Sequence, residues 1–181
     1  TARARVLVHR PEVQTALREH GTPLMVLEPH RASDQYQRLQ AAMPDVRFHY
    51  AVKALSHPTL IAELAAHDAY FDVASQGELD LLTTLGVDVR RLIHTHPVKS
   101  PAAIRRAMDA GVDTFVVDSR DELQKFAQLG GGVRLLVRLA YRNRGATCDL
   151  SAKFGVDHAT AESLVAYAHQ LGLEVAGFSF H

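Results

Sequence analysis

Lys53 closes the apolar run Phe48-His49-Tyr50-Ala51-Val52-Lys53-Ala54, which reads as a buried strand. A lysine taken out of water holds its proton less tightly, and a neutral amine at a strand end suits carbonyl capture as a Schiff base. The plainer reading of the same residue is a strand-end lysine snorkelling into solvent. Other downstream strand ends carry ionisable groups as well: Asp72 with Ser75, His94 with His96, Asp118, Arg138 and His181. Aimed at one mouth, such a set suits an anionic, aromatic ligand. Each residue also has a structural explanation: Asp72 and Asp118 as turn caps, Glu78 as part of a capping box, Arg138 as a surface ion pair. His94 and His96 stand two apart on an expected strand, so their rings fall on one side and form half of a metal site. No third ligand is evident, and eleven histidines make chance pairs common. The metal reading therefore stays subordinate, and no metal is expected.

The elements that position these residues follow from the hydropathy pattern. After a helical segment around Pro11 to His20, short apolar strands alternate with amphipathic helices, the signature of a parallel α/β domain. The expected strands are Leu24 to Leu27, Phe48 to Val52, Tyr70 to Ala74, Leu92 to Thr95, Thr114 to Val117, Arg134 to Leu139 and Val175 to Phe180. Most are apolar without polar alternation, as strands covered on both faces are. Helix starts are marked by Ser56 before Pro58, by Ser100 before Pro101, and by the capping boxes Ser75 to Glu78 and Ser119 to Glu122. Gly86, Gly111, Gly130 and Gly172 mark the stops. No phosphate-binding glycine fingerprint follows an early strand, so a β/α barrel is favoured over a dinucleotide fold. The run Gly130-Gly131-Gly132 lies between a helix and the next strand, on the face opposite the mouth, and reads as a helix stop.

Composition narrows the function classes. The 181 residues suffice for one domain with a sizeable core, and Lys plus Arg (20) balance Asp plus Glu (20), which disfavours a nucleic-acid surface. No apolar run reaches bilayer length, and Thr1 to Arg5 lack the apolar core of a secretory signal, so no membrane partner and a cytoplasmic setting are expected. A single cysteine, Cys148, leaves no internal disulfide framework.

Taken in order, Tyr50-Ala51-Val52-Lys53-Ala54, Phe71-Asp72-Val73-Ala74-Ser75 with Gly77-Glu78, Val117-Asp118-Ser119, Arg138, Asp149-Leu150-Ser151-Ala152-Lys153-Phe154-Gly155-Val156, and Gly177-Phe178-Ser179-Phe180-His181 resemble the ornithine decarboxylase family. These are fold type III pyridoxal-phosphate enzymes whose barrel is related to that of alanine racemase. The Ser151 to Gly155 stretch favours decarboxylase over racemase. The resemblance implies a (β/α)8 TIM-type barrel, with Lys53 forming the internal aldimine and His181 stacking on the cofactor ring. It implies that Asp72, Glu78 and Arg138 surround the cofactor, and that Lys153 pairs across the interface of a homodimer with shared active sites. Relatives commonly carry Asn before Pro where this chain has Thr95-His96-Pro97.

The resemblance also implies what to expect of the chain's extent. Residues 1–22 read as a helical lead-in and 23–181 as the amino-terminal part of the pyridoxal-phosphate-binding barrel. About six barrel strands are present, and the family's C-terminal β domain is absent from this chain. The family's glycine-rich phosphate loop, the acidic partner of the pyridine nitrogen and the proton donor fall beyond His181. An open six-stranded sheet leaves unpaired edges, so a longer polypeptide or a second chain is expected to complete it. The expected activity is decarboxylation of a basic amino acid of the ornithine or lysine type to its amine, as in polyamine biosynthesis. Two alternatives stand beside it: a non-catalytic pyridoxal-phosphate-binding relative or regulatory decoy, and a metal-dependent barrel hydrolase built on His94 and His96.

Overall fold

The computed structural model describes residues 7–141, 145 and 153–181. Cys148 and the Asp149 to Ala152 part of the Asp149 to Val156 stretch lie outside the described residues, as do Thr1 to Arg5. Six strands form one sheet in the order β1-β2-β3-β4-β5-β6, every neighbouring pair parallel. They are β1 (His49–Ala51), β2 (Tyr70–Val73), β3 (Leu92–His94), β4 (Thr114–Val117), β5 (Arg134–Leu139) and β6 (Glu174–Phe180). The helices are α1 (Pro11–His20), α2 (His30–Ala42), α3 (Pro58–Ala66), α4 (Gln76–Thr84), α5 (Pro101–Ala110), α6 (Arg120–Gln128) and α7 (His158–Gln170). Sequential order with parallel pairing is the wall of a β/α barrel, and it brings every strand's carboxyl end to one rim.

One face of the sheet makes the core. Phe71, Val73, Leu92, Phe115, Val117, Leu135 and Val137 pack with Ile61 and Leu64 of α3, Leu82 of α4, Ile104 of α5, Phe126 of α6 and Leu164 of α7. Because strand side chains alternate, the residues between them look the other way: Asp72, Ile93, Leu136 and Arg138 are half-buried on the inner face. In register, Ala51, Asp72 and Ile93 share one level, and Arg138 stands beside Ser179.

Local signals set the helix limits. Ser75, Ser100 and Ser119 each accept a hydrogen bond from the third backbone N–H of the helix that follows, and Gly86, Gly111, Gly130 and Gly172 take positive φ just past the helix ends. At α3 the capping residue is His57 rather than Ser56: its side chain accepts from the Thr59 N–H. The glycine run joins α6 to β5, on the rim away from the mouth.

One expected strand does not form. Leu24 to Leu27 joins no ladder, and Met25 is 89 % exposed. An apolar run becomes a strand only when an edge is there to satisfy its N–H and C=O groups, and no described strand lies beside it. Free edges remain elsewhere too. β1 and β6 each have one described neighbour, and on β6 Phe178 and Phe180, level with Val137 and Leu139 of β5, are 56 % and 69 % exposed.

Candidate active site

A cleft of about 200 Å³ opens at the carboxyl rim, and Lys53, His96, Arg138, Lys153, Phe154 and His181 line it. Lys53 sits in a short 3₁₀ turn, Val52–Ala54, that ends β1. The turn buries Val52 and leaves Lys53 exposed. The expectation of a dry lysine is therefore corrected: the strand ends at Ala51, one residue short of the expected Val52, and the 3₁₀ turn lifts the amine into the mouth rather than into the core. Reach, not desolvation, fits Lys53 to meet a carbonyl.

Asp72 lies on the inner face beside Ala51, two residues before Lys53 in the neighbouring segment. Its Oδ1 accepts a hydrogen bond from the Thr95 hydroxyl. Burial pushes its carboxyl pKa above the ordinary value and the Glu78 charge adds to this, while the Thr95 hydrogen bond and the Lys53 ammonium oppose it. Glu78 forms half of the expected capping box, its N–H donating to Ser75 Oγ, while its Oε2 accepts at 2.8 Å from the N–H of Ala74, one residue before the cap. Its carboxylate is thus held at the β2 to α4 turn, behind Asp72, as the structural reading of the sequence expects.

Arg138 and Lys153 both approach the Phe154 ring, 5.4 Å and 5.0 Å from its centroid. The segment bearing them is clasped over the end of β5. Val156 N–H donates to Arg138 O at 3.0 Å, Ala140 N–H donates to Val156 O at 2.8 Å, and Asp118 Oδ2 accepts from Gly155 N–H at 2.9 Å. Gly155 has φ +92°, and a Cβ there would meet the Leu139 carbonyl carbon at 2.8 Å, so only glycine fits. Asp118 therefore holds this clasp through its Oδ2. His181, just past β6, is exposed beside the cleft.

The two histidines of β3 do not act together. His94 is buried in the helix-facing layer, stacked on Phe115 with centroids 5.8 Å apart, and burial lowers its pKa to about 4, helped by the charge of Lys99. β3 ends at His94, so the strand period no longer governs His96, whose ring turns into the cleft against Phe154. The shared metal-facing side expected from their spacing is not formed, and among the described residues no cluster of three metal-ligating side chains occurs. A larger groove of about 830 Å³ lies between α4 and α5, away from the strand ends, with the Asp80–Arg106 ion pair on its wall.

The residue that is dry is Lys99, with its side chain 2 % exposed. Its ammonium donates to the carbonyls of His96, Pro97 and Val116 and faces Glu122 at 3.4 Å. Burial lowers its pKa to about 8 against the opposing pull of Glu122. Glu122, expected only as a capping-box partner, is buried and bridges Lys99 to Lys125. No sequence signal marked this pair, because Lys99 lies in the irregular turn after β3, where periodicity says nothing about direction.

A parallel barrel wall with an accessible lysine at the end of its first strand and a basic cleft at the same rim narrows the choice of family, and comparison with known proteins decides it. Residues 30–181 match the family model described as pyridoxal-dependent decarboxylase, pyridoxal binding domain. The chain belongs to the pyridoxal-dependent decarboxylases. This is the ornithine decarboxylase family of fold type III enzymes, and its cofactor is pyridoxal phosphate. The chain is 36 % identical over 170 residues to lysine/ornithine decarboxylase of Selenomonas ruminantium, covering 94 % of this chain and 43 % of that protein. Its fold matches the arginine decarboxylase of Paramecium bursaria Chlorella virus with TM-score 0.88 at 30 % identity, over 94 % of this chain and 46 % of that one. It also matches a solved complex of SrLDC with PLP and cadaverine, with TM-score 0.84 at 32 % identity, over 95 % and 43 % of the two chains. The decarboxylase segment therefore spans less than half the length of the relatives it matches.

Proposed function

We propose that this chain forms the Lys53 half of the active site of a pyridoxal-phosphate-dependent decarboxylase acting on a basic amino acid of the ornithine or lysine type, and that residues 23–181 are the amino-terminal part of its barrel, preceded by a lead-in at 1–22. The observation carrying this reading is the exposed Lys53 amine facing a cleft lined by Arg138, Lys153, His96 and His181. The residues fit the cofactor: an aldehyde needs a reachable amine, an anion needs cations, and an aromatic ring needs a flat wall such as an imidazole.

Pyridoxal phosphate, when bound, supplies the carbonyl that an amine condenses with and the electron sink that lets carbon dioxide leave. The chain's own residues do the rest. Lys53 offers its Nζ to the carbonyl and takes up or returns a proton there. Asp72, close enough to feel the Lys53 charge, carries the negative charge that favours protonated nitrogen near it, and Thr95 fixes its orientation. Arg138, held by the Phe154 contact and the β5 clasp, holds an anionic group in place. Phe154 and Pro97 keep part of the cleft dry, which weakens solvation of a departing carboxylate. His181 supplies the face on which the ring rests.

Glu78 takes its place in this reading as the group that sets the Asp72 turn and raises the Asp72 pKa. The barrel is completed by strands from further polypeptide, pairing with the free edges of β1 and β6. Lys153 sits near a subunit boundary of a homodimer, and the enzyme works in the cytoplasm. Intact-mass measurement of the purified protein checks the completion: a stable, monomeric 19.9 kDa species would refute it.

The test of function is borohydride reduction of the coloured protein followed by peptide mapping, together with carbon dioxide release from ornithine, lysine and arginine. A covalent adduct on Lys53 and release from one of these substrates are expected. The Lys53→Ala protein should lose its visible absorbance and its turnover, and retention of both would overturn the proposal. An adduct without carbon dioxide from any amino acid would indicate the non-catalytic relative instead.

A further inference from the structure

We propose that Lys99 is a positioning residue for this site: it holds the Thr95–Pro97 turn so that His96 stands in the cleft as an Nε2–H donor to the anionic ligand bound there. The inference rests on the cofactor reading above only for the identity of that ligand.

The geometry of the turn carries the proposal. The ammonium of Lys99 has three hydrogens and three backbone acceptors, His96 O at 2.9 Å, Pro97 O at 3.2 Å and Val116 O at 2.7 Å. Two of these belong to the turn and the third to β4, so the lysine staples the turn to the barrel wall. Its backbone is held too: Lys99 N–H donates to Glu122 Oε1 at 3.2 Å, and Lys99 O accepts from Lys125 Nζ at 2.7 Å. An apolar side chain of similar volume would fill the space without the desolvation cost of a buried ion pair. What it would not do is fix three carbonyls at once.

The turn so held determines the state of His96. Val98 N–H donates to His96 Nδ1 at 3.1 Å. An accepting Nδ1 leaves the ring hydrogen on Nε2. The ring meets Phe154 edge-on at 5.4 Å and lines the same cleft as Lys53, Arg138 and His181. The cleft thereby gains one directional donor beside its cations. The charged and titratable groups around Lys99 are Glu122 and Lys125 on α6, Asp118 after β4, and His94 and His96 at β3.

The experiment uses the purified holoprotein, stripped of cofactor and titrated with pyridoxal phosphate by absorbance. Lys99→Met alone strands the buried Glu122 without its Lys99 partner, so the deciding variant is the pair Lys99→Met with Glu122→Met, which leaves no fully buried charge unpaired, Lys125 being partly exposed to water. It should keep a thermal midpoint near the parent's while cofactor affinity falls about tenfold, the loss expected of one hydrogen bond to an ion. His96→Ala should fall by a similar factor, and adding it to the pair should cost little more, because both remove one interaction. Nitrogen-15 shifts of the His96 ring should show one protonated nitrogen in the parent and a mixture of tautomers in the pair. A pair with parental affinity and parental His96 shifts overturns the proposal. If the parent itself binds no pyridoxal phosphate, the cofactor reading fails, while the ring shifts still decide whether Lys99 sets His96.

Discussion

At the scale of single residues, the chain separates reach from burial among its lysines. Lys53 is exposed at the rim and Lys99 is sealed beneath it, so the accessible amine and the buried amine are different residues. His94 shows the same logic in an imidazole. It is packed against Phe115 with a pKa of about 4, so the folded state keeps it neutral while an unfolded chain protonates it near its ordinary value of 6.5. The unfolded state then binds more protons between these limits. Stability is full above about pH 6.5 and falls as pH drops toward 4, by on the order of 3 kcal/mol from this group. Urea unfolding of the parent and of His94→Phe at pH 7 and pH 4.5 checks this: the variant should lose less stability on acidification. Equal losses would exclude His94 as the source.

At the scale of elements, the site depends on how strands end. The β2 to α4 turn is fixed by Ser75, which caps the helix by accepting from the Glu78 N–H, and by Glu78, whose carboxylate accepts from the Ala74 N–H and is held behind Asp72. Ser75→Ala should cost about 1 kcal/mol in chemical denaturation, the usual loss of a helix cap. The β5 clasp is less forgiving. Gly155→Ala forces a Cβ against the Leu139 backbone at a positive φ. About 1–3 kcal/mol of stability should be lost, with Asp118 left without its Gly155 partner. Hydrogen exchange at Val156 and Ala140 would report the opened clasp, and unchanged protection there would show that the segment tolerates the shift. Most of these elements are legible in sequence because caps, glycine stops and unbroken apolar runs are local signals. Leu24 to Leu27 was not, because a strand needs a neighbour and apolar residues alone do not supply one.

At the scale of the whole molecule, six parallel strands make most of a barrel wall, with a closed core on the helix side and a half-open inner face. Phe178 and Phe180 on β6, and Met25 in the extended segment, present apolar surface of the kind that associates. The 181-residue chain produced alone should therefore self-associate at micromolar concentration and bind a hydrophobic dye. Replacing Phe178 and Phe180 with lysine should reduce both, as measured by size-exclusion chromatography with light scattering. A dispersed, dye-silent parent would mean that these surfaces are already covered within the chain.

By itself the sequence determined the alternation of strand and helix, the strand regions around Lys53, Asp72, His96, Arg138 and His181, and most of the helix caps and stops, since all of these are written in neighbouring residues. Only the tertiary structure decided which charged side chains face the cleft. It turned His94 inward and His96 outward, spent Asp118 on the Gly155 N–H, and buried Lys99 rather than Lys53. The direction of a side chain at a strand end is set by where the strand period stops, and that depends on hydrogen bonds to segments far away in the chain.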